Sequence, residues 1–264
     1  MATLPRFRFN EQTLDTSPAA LGLLRSSADA REDREELHQR MAHDGYLFLP
    51  RLLDPDQVQA ARTSSLERLA EQDLFLPGHP LDEALLKPGV HMRSASDVHL
   101  DNLPLLDLLY SGHMIEFYEF FLGGPVRHLD YTWFRAKTPT KGSATRPHCD
   151  IVYMGRGTEN LYTSWTPLGD VPYEMGGLML LEGSHALDEL RSGYGSSDVD
   201  SYCENLGNAK TIVQNAQSEE RNLTSEEKST IQWNSTGYYS RNALEVRHKL
   251  GGRWLTTDYK LGDL

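Results

Sequence analysis

Cysteine is nearly absent from the 264-residue chain: Cys149 and Cys203 stand alone and cannot build a multi-disulfide scaffold. Long apolar runs are lacking too. The richest stretch, Leu103 to Leu122, is interrupted by Asp107, His113, Glu116 and Glu119, so it falls short of the roughly 20 apolar residues that span a bilayer. The first ten residues, Met1 to Asn10, have no apolar core of the kind a secretory signal needs. Cations are in deficit, with 26 Lys and Arg against 38 Asp and Glu for a formal charge of −12, which argues against a partner such as nucleic acid that is held by phosphate neutralisation. These absences imply a cytoplasmic protein without membrane or nucleic-acid partners. With 39% hydrophobic and 24% charged residues, 21 Gly and 13 Pro, the composition excludes collagen-like, coiled-coil and wholly disordered chains. The length suits one enlarged domain over residues 1–264.

The N-terminal part reads as helical over about 31–122. Residues 31–43 are dense in charge with Leu37 and Met41 four apart, and Gly45 is placed to end that helix. Tyr46 to Leu49 is a short apolar run stopped by Pro50 and reads as a strand. Asp54-Pro55-Asp56-Gln57 supplies an N-cap and a proline at the first helical position, before Val58, Ala61, Ser65, Leu66 and Leu69 at helical spacing. A second helix is expected from Leu103 to Leu122, stopped by Gly123-Gly124-Pro125.

After Val126 the pattern changes to short runs of strand-like composition, 127–137, 147–154, 162–167 and 177–181, separated by turn residues. The expected architecture is mainly β, a jelly roll over about 126–264 with peripheral helices. The polar stretch 188–230 interrupts that rhythm and is expected to be an insert, a mobile lid over the barrel mouth. The glycosylation-like triplets at Asn222 and Asn234 are chance matches in a chain without a secretory signal.

The chemistry concentrates in Pro147-His148-Cys149-Asp150. On a strand, alternate side chains share a face, so His148 and Asp150 point together and Cys149 away. An imidazole and a carboxylate are two of the three ligands in the facial triad that holds ferrous iron while leaving positions for cosubstrate and oxygen. A hydrogen-bonded structural pair is the alternative reading of the same spacing.

Lys137-Thr138-Pro139, Arg146 to Asp150, Trp165-Thr166-Pro167-Leu168 and Gly176 to His185, in that order and spacing, resemble the phytanoyl-CoA dioxygenase family. The likeness extends to Gly45–Pro50 upstream and to Leu250–Asp263 downstream, covering about residues 40–264. It implies a non-haem Fe(II) and 2-oxoglutarate-dependent oxygenase on a double-stranded β-helix, acting with O2 on a small organic substrate. It implies His148 and Asp150 as metal ligands, and Trp165, Trp133 and Arg93 as residues bordering the cosubstrate or substrate. Core packing is the other reading of the two tryptophans, and a solvated charge that of Arg93. Because relatives that halogenate carry a small residue at the carboxylate position, Asp150 favours hydroxylation or desaturation.

In the family, a Gly-Asp pair opens the strand bearing the second metal histidine, and an arginine for the 2-oxoglutarate carboxylate follows shortly after. Here Gly262-Asp263 is followed only by Leu264, so the last strands, the third ligand and the carboxylate anchor are expected to be missing. His248 is the best internal substitute, although its setting, Glu245 to Lys249, is charged. The competing expectation is an incomplete family member acting only as a binding module.

Overall fold

A computed structural model of the chain describes residues 6–90, 96–129, 131–138, 144–155, 157–158, 160–199, 209–230 and 237–264. It divides into two compact units. The first comprises residues 1–144, 164–182 and 253–264; the second comprises 145–163 and 183–252.

Among its described residues the first unit is built on four α-helices. Helix α1 (Arg34–Asp44) starts where the Asp33 side chain accepts the Glu36 N–H and stops at Gly45, whose φ of 77° is the left-handed conformation that glycine adopts without a Cβ penalty. Helix α2 (Pro55–Ala70) is capped as its sequence predicts, Asp54 Oδ1 accepting the N–H groups of Asp56 and Gln57 at 2.8 and 3.1 Å. The helix expected over 103–122 is instead two, α3 (Leu103–Tyr110) and α4 (Gly112–Leu122). The chain is extended at Ser111 (φ −146°, ψ −178°), and Gly112 follows at φ 52°, where only glycine turns cheaply.

Helices α2, α3 and α4 share a cluster of Leu53, Val58, Ala61, Leu105, Leu108 and Met114. Each Leu, Val or Met side chain in it stabilises the fold by about 1.5–3 kcal/mol on full burial. Asn102, fully buried at the head of α3, is satisfied: its carbonyl oxygen accepts from the Ser64 hydroxyl at 2.8 Å and the Leu105 N–H at 3.3 Å, and its amide donates to the Val98 carbonyl at 3.1 Å. A hairpin of β1 (Arg8–Phe9) and β2 (Gln12–Thr13) precedes a three-stranded sheet ordered β3 (Leu21–Leu23), β5 (Trp254–Thr256), β4 (Leu180–Leu181). Strand β5 runs parallel to β3, with Leu21 opposite Trp254, and antiparallel to β4. The run Tyr46–Leu49 contributes a bridge from Phe48 to Ser26 rather than a full strand. Leu49 exchanges both backbone hydrogen bonds with Leu264, at 2.9 and 3.1 Å.

The second unit is helical, with α5 (Ile151–Met154), α6 (Asp188–Ser192), α7 (Ala209–Ser218), α8 (Ser225–Thr230) and α9 (Ala243–Leu250). The segment expected as a polar lid thus carries α6, α7 and α8. Ala209, Ile212, Val213 and Leu223 form its small apolar cluster.

The expectation of a mainly β jelly roll, the double-stranded β-helix, is overturned. Among the described residues helices predominate and the sheets have two and three strands. Residues 160–167 and the described part of 127–137 lie outside strands and helices, 151–154 is helical, and of 177–181 only Leu180–Leu181 pairs. The aromatic and branched residues that prompted the strand reading report a half-buried packing surface rather than a backbone preference. Here Leu129, Tyr131 and Trp165 stay 51, 62 and 36% exposed. Among the described residues no helix is long and apolar enough to cross a membrane.

Candidate metal centre

The residues singled out by their spacing, His148 and Asp150, meet in the second unit, though by a turn rather than a strand. Pro147 leads in, and from Cys149 the backbone closes on itself: the Val152 N–H donates to the Cys149 carbonyl at 3.3 Å and the Tyr153 N–H to the Asp150 carbonyl at 2.9 Å. Asp150 already has helical dihedrals (φ −63°, ψ −26°) and opens α5. Fully buried Val152 anchors that short helix, and Gly155 ends it where a Cβ would stand 2.6 Å from the Ile151 carbonyl oxygen. The strand expectation for 147–154 is therefore corrected here as well. Its consequence, the convergence of His148 and Asp150, is met by different backbone geometry.

The Nδ1 of His148 lies 2.7 Å from the Arg146 carbonyl oxygen. A carbonyl only accepts, so Nδ1 carries the proton and donates. In a neutral ring the lone pair is then on Nε2, which faces Asp150 Oδ1 at 3.1 Å. A lone pair and a carboxylate oxygen at that separation repel unless a cation, either a proton or a metal ion, lies between or beside them. Two donors about 2.1 Å from one ion and at right angles stand about 3 Å apart, so the pair fits two adjacent positions of an octahedral cation. A backbone carbonyl holding the far ring nitrogen is also the usual support of a ligating histidine. Both side chains are about one-third exposed, 30 and 33%, and so are open to an entering ion.

Tyrosines brace this turn. The Tyr194 hydroxyl accepts the Cys149 N–H at 3.2 Å and donates to the Gly237 carbonyl. The Tyr239 N–H donates to the Pro147 carbonyl at 2.8 Å. Gly237, at φ 70°, sits where a Cβ would run into the Tyr153 ring, and that ring meets the His148 imidazole edge-on at 6.0 Å. Burial holds the Tyr194 phenol well above its ordinary range, so it stays a donor. Burial, with the Asp150 charge adding to it, raises the Cys149 thiol, which makes that cysteine a poor nucleophile.

The other candidates are placed as follows. Trp133 and Trp165 belong to the first unit, where Trp165 packs on Tyr259 at 4.7 Å between ring centres and Trp133 meets Tyr131 edge-on at 5.4 Å. Arg93 lies outside the described residues. His248 is exposed on α9. Among the described residues no three His, Cys, Asp or Glu side chains come together as a metal site, so His148 and Asp150 are two donors to which the described chain adds no third. Sequence reasoning overlooked the bracing tyrosines. The doublet Tyr238-Tyr239 directly after a glycine was the available signal, but nothing in the spacing ties it to residues some ninety positions earlier.

Comparison with known proteins bears on the same region. A 1-deoxypentalenic acid 11-beta-hydroxylase from Streptomyces exfoliatus is 28% identical over 160 residues, covering 58% of this chain. The chain spans about half the length of that relative, 55%. Residues 104–234, which include His148 and Asp150, match the family described as phytanoyl-CoA dioxygenase (PhyH). The chain thus carries a phytanoyl-CoA dioxygenase family domain over residues 104–234.

Proposed function

We propose that this chain is a non-haem Fe(II) and 2-oxoglutarate-dependent oxygenase that hydroxylates or desaturates a small organic substrate. The observation that carries the reading is His148 Nε2 facing Asp150 Oδ1 at 3.1 Å, the separation of two adjacent ligands of one ion, within the family match. The relative's hydroxylase activity supports the same reaction class. Ferrous iron with 2-oxoglutarate, when bound, supplies O2 activation and C–H oxidation.

The protein's own contribution is placement. Asp150 offers a hard anionic oxygen and His148 a neutral nitrogen. The Arg146 carbonyl keeps the imidazole proton on Nδ1, which puts the neutral ring's lone pair on Nε2, the nitrogen that faces Asp150. The hydrogen bonds from Cys149 to Tyr194 and from Tyr239 to Pro147 hold the backbone on both sides of His148, so the two donors do not have to be ordered when the ion arrives.

Anaerobic titration of Mn(II) or Fe(II) into the wild type, His148→Ala and Asp150→Ala tests the reading, with circular dichroism to verify folding. Each substitution is expected to lower affinity at least about tenfold. The wild type with iron and 2-oxoglutarate should show a visible charge-transfer band. Equal metal affinity in all three proteins overturns it.

A further inference from the structure

A cleft of about 290 Å³ opens on the first unit, between α4 and the chain at Arg31 and Leu52. One wall is a single face of α4: His113, Glu116, Phe117 and Phe120 stand at i, i+3, i+4 and i+7, the spacing that aligns side chains along a helix. The other wall is fixed before any ligand arrives. The Arg51 N–H donates to Asp263 Oδ1 at 3.0 Å and the Leu53 N–H to the Gly262 carbonyl at 2.9 Å, while the Leu52 carbonyl between them accepts the His113 Nδ1–H at 3.2 Å. Arg31 is poorly satisfied by the protein: its Nε is buried without a hydrogen-bond partner among the described residues, and its Nη1 reaches only the Arg51 carbonyl, at 3.4 Å. Buried donors are rarely left so. Glu116 lines the same cleft and is exposed, yet among the described residues it makes no ion pair with Arg31. The aromatic lining is open as well, with Phe120 40% exposed and Phe117 held by parallel stacking on buried Phe121 at 5.9 Å.

We propose that this cleft binds a free α-amino acid with an aromatic side chain, its carboxylate on Arg31, its ammonium on Glu116 and its ring against Phe117 and Phe120. A simple anion drawn to Arg31 is repelled by Glu116, and a simple cation drawn to Glu116 is repelled by Arg31. A zwitterion satisfies both. An α-amino acid carries its two charges on one carbon, which suits a cation and an anion that share a small cleft without pairing with each other. The guanidinium fork matches the two oxygens of a carboxylate, and its unpaired donors gain an acceptor that the protein does not supply. Once His113 Nδ1 donates to Leu52, the neutral ring keeps its lone pair on Nε2, a second acceptor on the α4 face for an ammonium group. The two phenylalanines offer offset or edge-on packing to a ligand ring. A volume near the roughly 300 Å³ lower bound of ligand pockets suits a molecule the size of one amino acid. None of these residues belongs to the candidate metal centre, and the inference does not depend on the oxygenase reading.

Calorimetry on the full chain compares L-phenylalanine with hydrocinnamate, which lacks the ammonium group, and phenethylamine, which lacks the carboxylate. The wild type is expected to bind L-phenylalanine about tenfold or more tighter than either analogue. Arg31→Gln should erase the advantage over phenethylamine, and Glu116→Gln the advantage over hydrocinnamate. Phe120→Ala should weaken all three ligands by about threefold or more. Equal binding of the three ligands by the wild type overturns the proposal, as does no binding of L-phenylalanine at about 1 mM. A preference that survives its own substitution, or a Phe120→Ala variant that binds L-phenylalanine like the wild type, places the amino acid elsewhere and also overturns it. Glu116 and Phe120 are exposed, so their variants keep the test decisive if circular dichroism shows that Arg31→Gln does not fold.

Discussion

The Tyr194 hydroxyl accepts the Cys149 backbone N–H at 3.2 Å, between the two candidate metal ligands in sequence, and passes its own proton to the Gly237 carbonyl. One side chain therefore holds the centre of the His148–Asp150 turn against the loop that bears Tyr238 and Tyr239. Tyr194→Phe keeps the ring and its edge-on contact with Tyr239 but leaves the Cys149 N–H without its acceptor. The expected cost is about 1 kcal/mol in urea unfolding, the lower end for a lost hydrogen bond at a half-buried site. Mn(II) affinity should fall by about tenfold, as when a supporting contact of a metal ligand is removed. A variant equal to wild type in metal affinity would show that the hydroxyl does not position the turn.

Arg40 is nearly buried on α1 and donates to both Asp29 oxygens, at 2.6 and 2.9 Å, and to Glu36 at 2.7 Å. Hydrogen bonding from Arg40 lowers the Asp29 carboxyl to about 2. A depressed folded-state pKa contributes stability that is present above the unfolded value, about 3.9, and is lost as pH falls toward 2. Thermal melts are expected to decline across that interval in the wild type, and the decline should be shallower in Asp29→Asn, which is less stable than wild type at pH 6. Parallel pH profiles for the two proteins would contradict this assignment.

Asp263 is 2% exposed, and its two oxygens accept the Arg51 N–H at 3.0 Å and the Lys260 N–H at 2.8 Å. Asp263→Ala strands both donors and is expected to destabilise the protein by about 3 kcal/mol, each charge-assisted bond contributing about 1.5–3 kcal/mol. Asp263→Asn retains one acceptor oxygen and should lose about half as much. Denaturant midpoints of the two variants check the order, and equal losses would mean that only one of the two bonds matters.

What was legible in the sequence is what local chemistry decides. Asp54-Pro55 had to cap α2, and Gly45 had to close α1, because few other residues satisfy those backbone positions. The break at Ser111-Gly112 was less visible, since the apolar spacing of Leu103 to Leu122 continues through it. The β architecture was misread because aromatic and branched runs such as 127–137 and 162–167 carry strand composition, while strands exist only where a partner supplies hydrogen bonds. The proximity of His148 and Asp150 was legible from spacing, yet a two-residue interval brings side chains together on a strand and, here, through a turn. The supporting contacts from Tyr194, Gly237 and Tyr239 join residues distant in sequence, and no local pattern encodes them. The Gly262-Asp263 pair, noted for its family resemblance, has a structural role in the first unit: Gly262 accepts the Leu53 N–H at 2.9 Å, and Asp263 binds Arg51.

The parallel pairing of β3 with β5 also sets the order of events during synthesis. Leu21 to Leu23 leave the ribosome first, and their partners Trp254 to Thr256 are made more than two hundred residues later. At about 5–20 residues per second that delay is on the order of tens of seconds. Throughout it the β3 edge has no neighbour in its own sheet, and Leu21, 6% exposed in the finished fold, lacks the cover that Trp254 provides. The three-stranded sheet is consequently assembled only after the helices that precede Trp254 and after residues 183–252 of the second unit have emerged.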